Sequence, residues 1–208
     1  MEKKWTKELW NIEHLSFNEN KLILLAGKNG TGKSTLLRTL IGLIKPTSGE
    51  ILWNGKKKLE NNTVGYVPEV PIIPPTANVK KWLQWLLGIP SLKNSFTEKM
   101  NQLYPSLDVT PFLGVPANRL SKGQMQRVQL WSALASQPKG LILDEPLSGL
   151  DPWAKGEFSQ LVEEVLQAGL FVVMSSHEMT EKLRLCCQTT WLIENKTITT
   201  HSGCTLPK

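Results

Sequence analysis

The chain has 208 residues, of which 40% are hydrophobic and 20% charged, with a formal net charge of +6. That size and balance suit one globular domain with a sizeable core and room for an inserted lobe, and exclude a disordered or fibrous chain. The positive charge admits nucleic acid, an anionic membrane surface or acidic ligands, and because it is spread along the chain it does not choose among them.

The basic N-terminus, Met1 to Trp5, is followed by no apolar stretch of the secretory kind, and no run approaches the ~20 residues that span a bilayer. Leu22 to Ala26 form the first predicted element, an apolar run of the buried-strand kind, and Leu36, Leu37, Leu40, Ile41 and Leu43 recur at helical spacing after it. Between them, residues 27 to 34 read Gly-Lys-Asn-Gly-Thr-Gly-Lys-Ser, which is Gly, four free residues, then Gly-Lys-Ser. This is a phosphate-binding loop, in which the backbone N–H groups of Lys28, Asn29, Thr31 and their neighbours turn inward on a nucleotide's phosphates. Gly27, Gly30 and Gly32 leave room that a Cβ would take, and Thr35 is counted with the loop as a nucleotide contact. Lys33 is placed to reach the β- and γ-phosphates, and the Ser34 hydroxyl to join Mg²⁺. Strand, glycine loop and helix also aim a positive helix end at the anion. These residues predict a nucleotide-binding chain.

Ile51-Leu52-Trp53 before Asn54-Gly55 reads as a strand entering a hairpin, and Lys56-Lys57-Lys58 as a solvated turn in preference to a nucleic-acid patch. Val64 to Val67 is another strand, after which Pro68, Pro71, Pro74 and Pro75 mark a change of region. From 78 to 120 the pattern turns helical, with Val79, Trp82, Leu83 and Leu86 on one stripe. Leu120-Ser121-Lys122-Gly123-Gln124 then opens a helix containing Val128 and Trp131. Two readings stand here: Ser121 as an ordinary N-cap, or a hydroxyl, a small residue and free N–H groups binding phosphate. Spacing alone favours the cap.

Leu141 to Leu143 is a strand that ends in Asp144-Glu145-Pro146. Asp144 suits a Mg²⁺ site through its water shell, and Glu145 suits polarisation of a water at a γ-phosphate, unless the pair is simply an acidic surface turn. A helix carrying Phe158, Leu161, Val162 and Val165 precedes the strand Phe171 to Met174, which leads to His177. Trp191 to Ile193 reads as a last short strand, and the tail beyond 196 as weakly specified. Cys186, Cys187 and Cys204 make no disulfide or metal framework and read as reduced thiols. Strands alternating with helices around the loop predict an α/β sheet interrupted by a helical lobe.

In order, GKNGTGKS at 27–34, LSKGQ at 120–124, LILDEP at 141–146, SGLD at 148–151 and Ser176-His177 resemble the nucleotide-binding subunits of ATP-binding cassette (ABC) transporters over nearly the whole chain. LSKGQ ahead of the Asp-Glu pair is the specific part, since phosphate loops occur in many families. The resemblance implies a phosphate-loop NTPase core with an N-terminal antiparallel β portion and an inserted α-helical subdomain: 1–67 and 125–196 as core, 68–124 as the helical part, 197–208 as tail. It also implies two cassettes, like or unlike, packed head to tail around ATP and Mg²⁺. Ser121, Gly123 and Gln124 of one then meet the nucleotide held by the other, and Asp151 joins the loops across the interface. His177 orients Glu145 and the water. Catalysis falls to Glu145, His177 and Lys33, and the metal to Ser34, Asp144 and Glu69.

Two positions depart from the pattern. Glu69 stands where the family usually has Gln, which keeps an oxygen in reach and adds a charge, and Lys122 replaces a common Gly. Both look like exporters of the ABC-2 type; the compact size also resembles the haem exporter of cytochrome c maturation. Trp5 is the candidate to stack on adenine, with Trp10 as fallback, although an N-terminal Trp packs in a core equally well. Trp82 and Trp85 are core residues or an aromatic contact for a membrane subunit. The implied function is a cytoplasmic ATPase, peripheral on the inner face of the membrane, that drives a separate transmembrane permease, with no nucleic-acid partner. The alternatives are a soluble ABC-type ATPase of DNA repair or translation, which usually carries coiled coils or paired cassettes, and a phosphate-loop kinase.

Overall fold

The computed structural model describes residues 15, 21–53, 56–57 and 64–207. Trp5, Trp10, the Asn54-Gly55 turn and nearly all of the expected N-terminal antiparallel portion lie outside them.

Leu22–Gly27 (β1), Val64–Val67 (β2), Gly140–Asp144 (β3), Phe171–Ser175 (β4) and Cys187–Glu194 (β5) run parallel, and Thr197–Ser202 (β6) closes the edge antiparallel to β5. Their order across the sheet is β2-β3-β4-β1-β5-β6. The central strands β1, β3 and β4 are apolar runs because both faces of the sheet are covered. Side chains alternate between those faces. Ile23, Leu25, Ile142 and Val173 pack with Leu36 and Leu37 of the helix Lys33–Leu40 (α1). Leu22, Leu24, Leu141, Leu143, Val172 and Met174 face the opposite way, into a larger core shared with Lys122–Leu134 (α4) and Pro152–Gln167 (α5).

Val79–Leu86 (α2) and Asn94–Leu103 (α3) extend that larger core without a break. Asn78 caps α2 by accepting from the Lys81 N–H at 3.2 Å. The expected stripe is only partly inward: Val79, Trp82 and Leu83 are buried, whereas Leu86 is 39% exposed, and Trp85, off the stripe, is 76% exposed. Phe96 meets Trp131 of α4 edge-on at 5.7 Å, tying α3 to the sheet-facing layer. The boundary expected between 124 and 125 falls inside α4, which is one continuous helix.

Three local expectations change. Residues 51–53 form no strand; Trp53 makes an isolated antiparallel bridge with Lys56. α1 stops at Leu40, so Leu43 lies beyond it and is exposed. Residues 197–202 are a strand, because Asn195 and Lys196 both take positive φ, 47° and 63°, the twist a two-residue hairpin needs. Lys in the second position hides this turn, which usually announces itself with Gly. The three cysteines are free thiols, and burial pushes Cys187 up to about 11.

β2 lies so close to α4 that residue 65 must be Gly. A Cβ there would stand 2.8 Å from Leu141 Cδ2 and 2.9 Å from the Ala133 carbonyl oxygen, which is fixed backbone. Gly65→Ala should therefore destabilise the fold by about 1–3 kcal/mol, read as a lower urea midpoint with an unchanged m value.

Candidate functional site

The ends of β1, β4 and β3 lie side by side, so whatever follows each strand converges on one edge. β1 runs into the 27–34 loop, and Gly32 caps α1 with φ 98°, a left-handed conformation that a side chain would resist. Lys33 folds back into this loop. Its Nζ donates to the Gly27 carbonyl at 2.9 Å and lies 3.3 Å from Glu145 Oε1. Lys33 is 7% exposed and Glu145 10%, so the pair is nearly shut off from solvent.

Asp144 ends β3 fully buried. Its Oδ1 accepts from the Ser34 hydroxyl at 3.0 Å and from the Ser175 hydroxyl at 2.8 Å. Its Oδ2 is buried and makes no hydrogen bond. A buried carboxylate oxygen with nothing to accept is costly, and a hard cation with its waters removes that cost. Ser34 and Asp144 are therefore a fitting oxygen donor set for Mg²⁺. Nearby, the Arg38 Nε–H donates to the Tyr66 hydroxyl at 3.5 Å. Burial pushes the Tyr66 phenol up, with the Arg38 bond opposing, and the same bond pushes Arg38 up.

Glu145 sits at φ 46°, unusual for a non-glycine residue. Its N–H is held by Ser175, through the carbonyl at 3.1 Å and the hydroxyl at 2.8 Å. Its carboxylate is shared: Oε1 faces Lys33, and Oε2 lies 3.0 Å from His177 Nδ1. His177, just past β4, is 55% exposed. With Gly30, Ser34 and Glu69, these three side chains line an open cleft of about 490 Å³, within the range of small-molecule sites. Ser175 was missed by sequence reasoning. Only the adjacency of β3 and β4 reveals that one hydroxyl serves both carboxylate residues.

Ser121, Gly123, Gln124 and Asp151 do not line this cleft. Ser121 accepts from the Gln124 N–H at 3.2 Å while Gln124 Oε1 accepts from the Ser121 N–H at 2.9 Å, a reciprocal cap on α4. Asp151 caps α5, accepting from the Ala154 N–H at 2.9 Å. Gly123 packs on Ala154, so the two helix starts are neighbours on one exposed face.

The family model for ABC transporter matches residues 11–148. The chain belongs to that family. It is 34% identical over 180 residues to the uncharacterized ABC transporter ATP-binding protein YxlF of Bacillus subtilis, covering 85% of this chain and 61% of that protein. It is 35% identical to the zinc import ATP-binding protein ZnuC of Rickettsia bellii, covering 81% of this chain and 70% of that one. A solved ATP-binding subunit of an ABC transporter superposes with a TM-score of 0.73 at 25% identity, over 88% of this chain and 79% of the other. The chain spans about three fifths of the length of several curated relatives it matches.

Ser175→Ala deletes two hydrogen bonds at once, a buried one to Asp144 and a partly buried one from the Glu145 N–H. A loss of about 1–3 kcal/mol in chemical denaturation is expected.

Proposed function

We propose that this chain is the ATP-binding and ATP-hydrolysing subunit of an ABC transporter, acting on a separate membrane subunit. The observation that carries the reading is the Glu145 carboxylate, suspended between Lys33 and His177 at the mouth of a phosphate-loop cleft. Phosphates entering the loop bring the negative charge that Lys33 otherwise takes from Glu145. Oε1 is then free to accept a proton from the attacking water, while His177 keeps hold of Oε2. Lys33 and the N–H groups of residues 28–35 stabilise charge that develops on the γ-phosphate during in-line displacement. Ser34 and Asp144 would hold Mg²⁺, with Glu69 at the cleft wall as a further oxygen. The ion would supply charge neutralisation across the β- and γ-phosphates.

The second half of the site is proposed to come from another cassette. Ser121, Gly123 and Gln124 sit at an exposed helix start away from the chain's own cleft, with Asp151 beside them, as a face that completes a partner's nucleotide site requires. ATP binding then closes the dimer and hydrolysis reopens it. The movement passes through the 68–90 region, within the 68–124 helical part that lies between the 1–67 and 125–196 parts, to the membrane subunit. Trp82 is core, 5% exposed, and the exposed Trp85, Val70 and Ile72 are the proposed contact for that subunit. Among the described residues no helix is long and apolar enough to cross a membrane, which fits a peripheral subunit held at the inner face by its permease.

Glu145→Gln should bind ATP, lose turnover by at least about a hundredfold, and run as a nucleotide-dependent dimer in gel filtration. Ordinary turnover in that variant would overturn the assignment. Lys33→Ala should weaken ATP binding by at least about tenfold in equilibrium titration, through loss of a charge-assisted phosphate contact.

A further inference from the structure

We infer that Lys155 and Glu178 form a positioning pair that ties the first turns of α5 to the segment carrying His177, and so sets where the Glu145 carboxylate stands. The inference rests on the hydrolytic reading above and adds residues to it. Glu178 directly follows His177, and its Oε2 lies 2.7 Å from Lys155 Nζ. Lys155 belongs to the first turns of α5, and its N–H donates to the Asp151 carbonyl at 3.0 Å. A side-chain ion pair therefore joins the helix start that carries Asp151 to the residue beside His177.

The surroundings leave the 176–178 segment little freedom except at this pair. Ser176 is fully buried, donates its hydroxyl to the Glu178 carbonyl and accepts from the Glu178 N–H at 3.2 Å. About one turn further along, the Ser159 hydroxyl donates to the Lys155 carbonyl at 2.6 Å and meets the Thr180 hydroxyl at 2.7 Å, a second tie between the same two segments. His177 itself is more than half exposed, and among the described residues its ring hydrogen-bonds to Glu145. With the ring largely open to solvent, its place is set by the backbone that Ser176 and Glu178 hold and by its contact with Glu145. Lys155 and Glu178 are partly exposed, and such pairs add little stability. A displacement of about 1 Å at a reacting group, by contrast, costs up to about a hundredfold in rate. The pair matters for placement, therefore, far more than for folding.

The test uses Lys155→Met, Glu178→Gln and the conservative Lys155→Arg. Turnover and the ring signals of the histidines are measured side by side. The chain has three histidines, so His177→Gln assigns the His177 ring by its disappearance. The two disruptive variants should lower kcat by about tenfold with KM for ATP within about twofold. In the nucleotide-free protein they should also move the His177 ring signal towards its position in Glu145→Gln. Lys155→Arg should restore both. Unchanged kcat and ring signal would overturn the inference, as would a lower kcat with the ring signal unmoved. Ordinary turnover by Glu145→Gln would strike the hydrolytic reading instead, and the ring signal would still decide whether Lys155 places His177.

Discussion

The site depends on the side-by-side pairing of β3 and β4, in which Asp144 stands opposite Ser175. That register puts one buried hydroxyl between two consecutive acidic residues, bonded to the side chain of the first and the N–H of the second. Asp144 is thereby held facing Ser34, while the chain turns so that Glu145 faces Lys33 and His177. A slip of one residue would send Asp144 to the other face of the sheet and break the arrangement. Because β1, β3 and β4 are buried on both faces, shape rather than polarity resists such a slip: each side chain would have to leave the packing site that fits it.

The left-handed backbone at Glu145 is a local cost of this design. It is held by the double hydrogen bond to Ser175 and by the ion pair with Lys33, both largely shielded from water. Shielding strengthens the attraction between the two charges, yet it also means that neither can be left alone cheaply. In the proposed function, ligand phosphates would offer Lys33 a new anion as Glu145 is released, with His177 remaining as the carboxylate's second partner. The resting contacts thus foreshadow the charges that the proposed reaction needs.

Much of this was readable from residue order. The GKNGTGKS loop, the strand Leu22 to Ala26 before it and the Leu141 to Leu143 strand with its two acids have strong local patterns, and the structure places them as expected. What escaped depends on neighbours distant in sequence. Ser175 carries no motif, and its importance comes wholly from strand order. The hairpin at Asn195-Lys196 lacks the glycine that betrays such turns, so β6 read as tail. Trp82 and Trp85 share a helix three residues apart, and only packing against α4 shows that one is core and the other open.

The α4 start shows why pattern and structure answer different questions. Ser121 and Gln124 cap each other here, which satisfies the local pattern and contributes about 1 kcal/mol. A capped helix start and a phosphate-binding one use the same groups, because both exist to satisfy N–H donors at the positive end of the helix. What differs is the strength of the acceptor. A phosphate oxygen forms charge-assisted bonds about twice as strong as those of a neutral hydroxyl, so a nucleotide presented by a second cassette would outcompete the internal cap. The cap keeps an exposed helix end satisfied in the single chain. It also leaves that end available, and the Lys122 side chain beside it, with no acidic partner among the described residues, adds to the positive field there.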